Sequence, residues 1–263
     1  MLNTSGVLAV LDHHVTINWD DGPTLHKIGA VVRYHRANVA NTTALRVGAS
    51  QRYSDQPLAF VTIGDGLRAV WVWREAEPGW CAQLVVANED DENIYVDALD
   101  VLRIEYALGG LFNVGAPPGL WRCAHEWSSV ETVGSVSSPH PLGKTLAWED
   151  WGASIGDALG FLRRRLLLLQ PTVSNRSRPP AVLVRALNAP ELPTEIRLET
   201  TTERFERFVA RCRTDGLRLG AGASLVSPEF WVICGDDAAE LAGLPKPQPE
   251  PNIAPSLLPP AHD

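Results

Sequence analysis

From Leu45 to Val136 apolar and polar residues trade places over short runs, and turn-forming residues cut those runs at regular spacing. A period of two belongs to a strand with one face buried and the other wet. Leu67, Ala69, Trp71 and Trp73 would then share one face. Glu77, Pro78 and Gly79 turn the chain into a second run, Trp80 to Ala87, and the polar stretch from Asn88 to Asn93 turns it again. A long strand from Ile94 to Tyr106, closed by Gly109 and Gly110, is expected at the centre of a sheet. Strand, turn, strand at this spacing predicts a mainly β chain, a large β-sandwich of the supersandwich kind.

The second half repeats the pattern more loosely, with strands expected at Ser154 to Leu159, Leu166 to Thr172, Ala181 to Leu187 and Thr194 to Glu199. One C-terminal helix is expected next. Thr200 and Glu203 have capping-box spacing, Phe205, Phe208, Val209 and Cys212 fall at i, i+3, i+4 and i+7, and Gly216 suits a left-handed stop. After Gly243 the prolines at 245, 247, 249, 251, 255, 259 and 260 leave an extended segment. The expected organisation is a sandwich domain over residues 1–235 and a proline-rich tail over 236–263, lying along an apolar face or joining a neighbouring subunit.

The 263 residues are 45% hydrophobic and 21% charged, enough for a sizeable core. A formal net charge of -8 argues against nucleic acid as a partner, since phosphate binding needs a basic surface. No apolar run is long enough to span a bilayer and the first residues lack a basic secretory start, so a cytoplasmic location is expected. Cys81, Cys123, Cys212 and Cys234 are scattered without a CxxC pair, which predicts reduced core residues and no zinc site. No cofactor is expected: the glycines at 216, 220 and 222 do not sit between a strand and a helix as a phosphate loop would.

The stretch NEDDENIYVDALDVLRIEYALGGLFNVGAPPGLWRCAHEWSSV, from Asn88 to Val130, resembles the N-terminal domain of family-36 glycoside hydrolases, the α-galactosidases and raffinose-synthase-like proteins. A polar turn, a VDALDVLRIE-like segment, a Gly-rich corner and an aromatic stretch follow one another there in the same order. The resemblance continues through Leu159, Gly160 and Phe161, then PPAVLVRALN, then TTERFERFVARC. Where that family reads GWQSWS, this chain has Glu126, Trp127, Ser128, Ser129 and Val130. The resemblance implies a sandwich that precedes a catalytic barrel. Such a barrel takes about 250 residues and holds two carboxylates about 5 Å apart in a retaining enzyme. The stretch after Cys234 is far shorter, and Lys27, Lys144 and Lys246 are not followed by the residues of a KWDxN nucleophile motif. The chain is therefore expected to lack the barrel and to hold no catalytic residues of its own.

Several side chains are candidates for a site. Trp121, His125, Glu126 and Trp127 combine aromatic rings with polar groups, as a sugar site does, or the tryptophans belong to the core. Asp97 with Asp100, and Glu149 with Asp150, are carboxylate pairs, expected to be solvated or paired with arginine, Arg103 among them. His13 and His14 are adjacent and are expected in a surface loop. The function expected is a non-catalytic accessory or truncated domain related to α-galactosidase-type enzymes, partnering a separate catalytic barrel subunit or itself. The alternative is a stand-alone carbohydrate-binding module for an α-galactoside or another glycan.

Overall fold

The computed structural model describes residues 6–20, 22–37, 39, 41–55, 57–126, 136–139, 145–150, 160–164, 166–171, 180–187, 192–200, 204–236, 238–245 and 247. Among them the chain forms two antiparallel sheets, with strands numbered here in chain order. The nine-stranded sheet runs β1 (Gly6–Leu11), β2 (His14–Trp19), β3 (Thr24–Arg36), β9 (Ile94–Glu105), β18 (Phe205–Leu219), β17 (Thr194–Thr200) and β14 (Gly160–Arg164), and β4 (Thr43–Val47) and β10 (Leu111–Asn113) also pair with β3. The eleven-stranded sheet runs β12 (Val136–Pro139), β13 (Thr145–Asp150), β11 (Trp121–Glu126), β15 (Leu166–Pro171), β16 (Ala181–Leu187), β20 (Glu229–Gly235), β8 (Gly79–Asn88), β7 (Leu67–Ala76), β6 (Leu58–Gly64) and β5 (Arg52–Asp55), with β19 (Ser224–Val226) beside β8. The mainly β sandwich read from the sequence is the fold. The strand expected at Ser154 to Leu159 lies outside the described residues.

Alternation builds the core. Leu67, Ala69, Trp71 and Trp73 of β7 all point inward and are buried, facing Val96, Leu99, Val101 and Ile104 of β9. The Trp71 indole Nε1 donates to the Val101 carbonyl at 3.0 Å, tying the two sheets together through a buried hydrogen bond. β9 lies between β3 and β18, so the segment expected at the centre of a sheet is there.

The expected helix is overturned. Residues Phe205 to Leu219 form the long strand β18, paired with β17 on one side and β9 on the other. A bulge explains the misleading periodicity: Thr200 pairs with Phe205 but Glu199 with Arg207, so Glu206 is an extra residue. That insertion brings Phe205 and Phe208 to the same inward face at a spacing of three, after which Phe208, Ala210 and Cys212 alternate normally. Gly216 does adopt a left-handed φ of 80°, but within a second irregularity of the strand, between Arg213 and Leu217, and not at a helix end.

A short helix, α1 (Ala238–Gly243), follows β20. In β20, Phe230 and Val232 enter the main core, whereas Trp231 and Ile233 point to the opposite face of the eleven-stranded sheet. There they pack with Leu168, Leu183 and Leu241 of α1, which is fully buried. No helix among the described residues is long and apolar enough to cross a membrane.

Candidate functional site

The outward face of the nine-stranded sheet is where the charge of the described chain is concentrated. Strand β9 supplies Asp97, Asp100, Arg103 and Glu105 to it, although a regular strand would send positions 100 and 103 to opposite faces. The register shows why they share one: Val31 pairs with Asp100 and Gly29 with Arg103, so β9 carries one residue more than β3 between those pairs. A second shift, between Arg33 and Tyr34 of β3, lets Asp97 bulge out as well. From the neighbouring strands come Arg33 of β3, Arg46 of β4, Arg207, Arg211 and Arg213 of β18, and Glu195, Arg197 and Glu199 of β17.

Asp100 is the anchor of this lattice and is 0% exposed. Arg211 grips it with two N–H groups, Nε to Oδ1 at 2.5 Å and Nη2 to Oδ2 at 3.1 Å, the planar two-point pairing that suits guanidinium and carboxylate. Arg103 donates through Nη1 to Oδ2 at 2.9 Å, and Arg33 through Nε at 3.3 Å. One buried anion thus holds three cations, which fixes their planes. Arg103, only 9% exposed, also donates to Glu105, which Arg46 approaches at 3.5 Å. Burial acts to raise the Glu105 pKa, but the hydrogen bond and charge of Arg103, with those of Arg46, outweigh it and hold the carboxyl below its ordinary value.

The same arrangement extends outward. Arg207 donates to Glu199 at 2.6 Å, and Arg197 and Arg211 lie 3.5 and 3.6 Å from Glu195. Asp97 receives the Thr42 hydroxyl at 3.1 Å and hydrogen-bonds His35 Nδ1 at 3.0 Å, with the Tyr95 ring stacked on the imidazole. Between these groups lies an open groove of about 410 Å³, lined by the arginines, Thr42, Asp97, Ala98 and Val209. A smaller hollow of about 110 Å³ adjoins it across Arg103, with Lys27, Arg46 and Glu105 in its wall. Chemically, the face offers fixed guanidinium donors, and its acids are engaged by arginine or histidine.

The residues singled out in the sequence are placed as follows. Trp121 is a core residue, 1% exposed, packed against Phe112, with its indole Nε1 donating to the Ala116 carbonyl at 2.6 Å, so its ring does not face a sugar. His125 and Glu126 occupy adjacent positions of β11, opposite Ala147 and Leu146 of β13; their side chains and Trp127 lie outside the described residues. Glu149 and Asp150 end β13, opposite Cys123 and Arg122. Asp97 and Asp100 take separate partners, histidine and arginine, and the Arg103 pairing expected from the sequence is made to Asp100. His13 sits in the turn between β1 and β2 with φ 62°, and His14 begins β2. Among the described residues no group of three His, Cys, Asp or Glu side chains is placed to hold a metal. Cys81, Cys212 and Cys234 are buried free thiols.

Sequence reasoning missed the groove because it is assembled from four strands distant along the chain. Its only sequence trace is the run of arginines at alternate positions 207, 211 and 213 on either side of Val209.

No protein-family model matches the sequence, and no curated protein matches it. Comparison of structures finds similarity to the family-36 α-galactosidase AgaB from Geobacillus stearothermophilus, at 11% identity and a TM-score of 0.45 over 83% of this chain and 29% of that one. The galactosidase domain of the α-galactosidase–sucrose kinase AgaSK is similar at 7% identity and a TM-score of 0.45 over 80% of this chain and 28% of that one. A polysaccharide lyase, BACCELL_00875, is similar at 8% identity and a TM-score of 0.44, covering 88% of this chain and 32% of that one. The chain spans about a third or less of the length of each.

Proposed function

We propose that this chain is a non-catalytic accessory domain related to α-galactosidase-type glycoside hydrolases, which binds and leaves turnover to a separate catalytic barrel. The observation that carries the reading is the lattice on the outward face of the nine-stranded sheet. Its carboxylates are engaged by arginine or histidine, Asp100 by three arginines at once, whereas hydrolysis by retention needs one free nucleophile and one protonated acid facing it. The order of segments from Asn88 to Val130 supports the relation to those enzymes. The alternative, a stand-alone carbohydrate-binding module, would rest on His125, Glu126 and Trp127, without the ring of the buried Trp121.

The test is turnover. The purified chain, incubated with an aryl α-galactoside and with raffinose, should release no galactose beyond the buffer control. Hydrolysis that copurifies with the chain and disappears in Asp97→Asn or Asp100→Asn would refute the reading.

A further inference from the structure

The groove on the outward face has a chemistry that selects its ligand. At about 410 Å³ it falls within the roughly 300–1,000 Å³ of ordinary small-molecule sites. A neutral sugar is gripped by an aromatic ring under its apolar face, but this wall is built from guanidinium groups, one carboxylate, Thr42, and the small aliphatics Ala98 and Val209. Guanidinium offers paired N–H groups in a rigid plane, the complement of a carboxylate, sulfate or phosphate.

Two independent features show that the groove wall is rich in donors and poor in acceptors. The groove wall itself presents six arginines, Arg33, Arg103, Arg197, Arg207, Arg211 and Arg213, and one carboxylate, Asp97, while the counterions Asp100, Glu105, Glu195 and Glu199 lie outside that lining. The Nε atoms of Arg103 and Arg207 are buried with no acceptor among the described residues, although both residues line the groove. A buried donor without an acceptor is unfavourable until one is supplied. At the mouth, Arg213 is 46% exposed and its partner Asp215 is more exposed still, so that ion pair is readily exchanged for another anion.

From this geometry we infer that the groove binds the oxyanion of a saccharide-sized ligand, an acidic oligosaccharide whose carboxylate or sulfate lies against Arg33, Arg211 and Arg213. The inference rests on reading this face as the binding surface of a non-catalytic domain, and it names the ligand class.

The experiment is calorimetric titration of the full chain at low ionic strength with trigalacturonate, a neutral galactose trisaccharide, and sodium sulfate. Trigalacturonate should bind and the neutral sugar should not. Binding should weaken by roughly tenfold or more in Arg213→Gln and Arg33→Gln, as expected for the loss of a charge-assisted hydrogen bond. It should be unchanged in Arg52→Gln, whose arginine pairs with Asp55 on β5 of the other sheet. Among the described residues the Arg213 side chain hydrogen-bonds the exposed Asp215, so this variant tests the site without removing an Asp100 contact. Sulfate binding with the same arginine dependence supports the oxyanion site and assigns it to a free inorganic anion. Binding of the neutral trisaccharide with that dependence overturns the oxyanion class while leaving the face as a binding surface. Absence of binding by all three, or binding indifferent to Arg33 and Arg213, overturns the inference; the non-catalytic reading is decided separately, by turnover.

Discussion

Asp100 shows how much can depend on one side chain. It is fully buried and accepts hydrogen bonds from three arginines on two neighbouring strands and its own. Asp100→Asn keeps the volume but leaves those guanidiniums without their counterion, and breaking a buried ionic cluster costs about 3–5 kcal/mol. Urea melts should show a loss of that order, well above the ~0.5 kcal/mol of an ordinary surface change. A smaller loss would mean that the arginines find other partners. Glu105 adds a dependence on pH. Its pKa is lower in the folded chain than in the unfolded one, so the unfolded chain binds more protons across that window and stability falls as pH drops from about 4.3 through the folded value. Arg46→Gln removes one of the charges that lower it, so melts between about pH 3 and 5 should show a shallower acid loss than in the parent. Parallel curves would contradict that assignment. Of these contacts, the sequence made only the Arg103 partnership legible, as an arginine close along the chain to two aspartates; the bulge that brings positions 100 and 103 to one face is not visible in it.

At the scale of elements, β7, β8 and β9 were readable because each keeps an uninterrupted period of two, or departs from it only after several residues. β18 was not. An inserted Glu206 shifts the apolar phase by one, so Phe205, Phe208 and Cys212 imitate a helical stripe, and a left-handed glycine at 216 completes the imitation. What a single sequence cannot supply is the pair of neighbours, β9 and β17, that make an extended chain the better solution. The strand reading has a sharp consequence. Phe208, 1% exposed, packs against Phe112 in the core, so Phe208→Ala should cost about 3–5 kcal/mol. Arg213→Ala, on the opposite face of the same strand, should change stability by no more than about 0.5 kcal/mol. Equal costs at the two positions would contradict the assigned faces.

For the molecule as a whole, the two faces turned away from the shared core differ in character. The outer face of the eleven-stranded sheet carries an apolar cluster, Leu168, Leu183, Trp231 and Ile233, closed by Leu241 of α1. That of the nine-stranded sheet carries the arginine lattice and the groove. The sandwich class was legible from strand spacing. The groove was not legible, because β3, β9, β17 and β18 meet there from opposite ends of the sequence. The arginine lattice is the binding face proposed for the molecule. Nuclear magnetic resonance of the arginine Nε–H groups, followed while trigalacturonate is added, tests it most directly. The signals of Arg33, Arg211 and Arg213 should move together and saturate, while Arg52 and Arg68, on the other sheet, stay in place; movement confined to Arg52 and Arg68, or no movement at all, would rule out the lattice as the binding face.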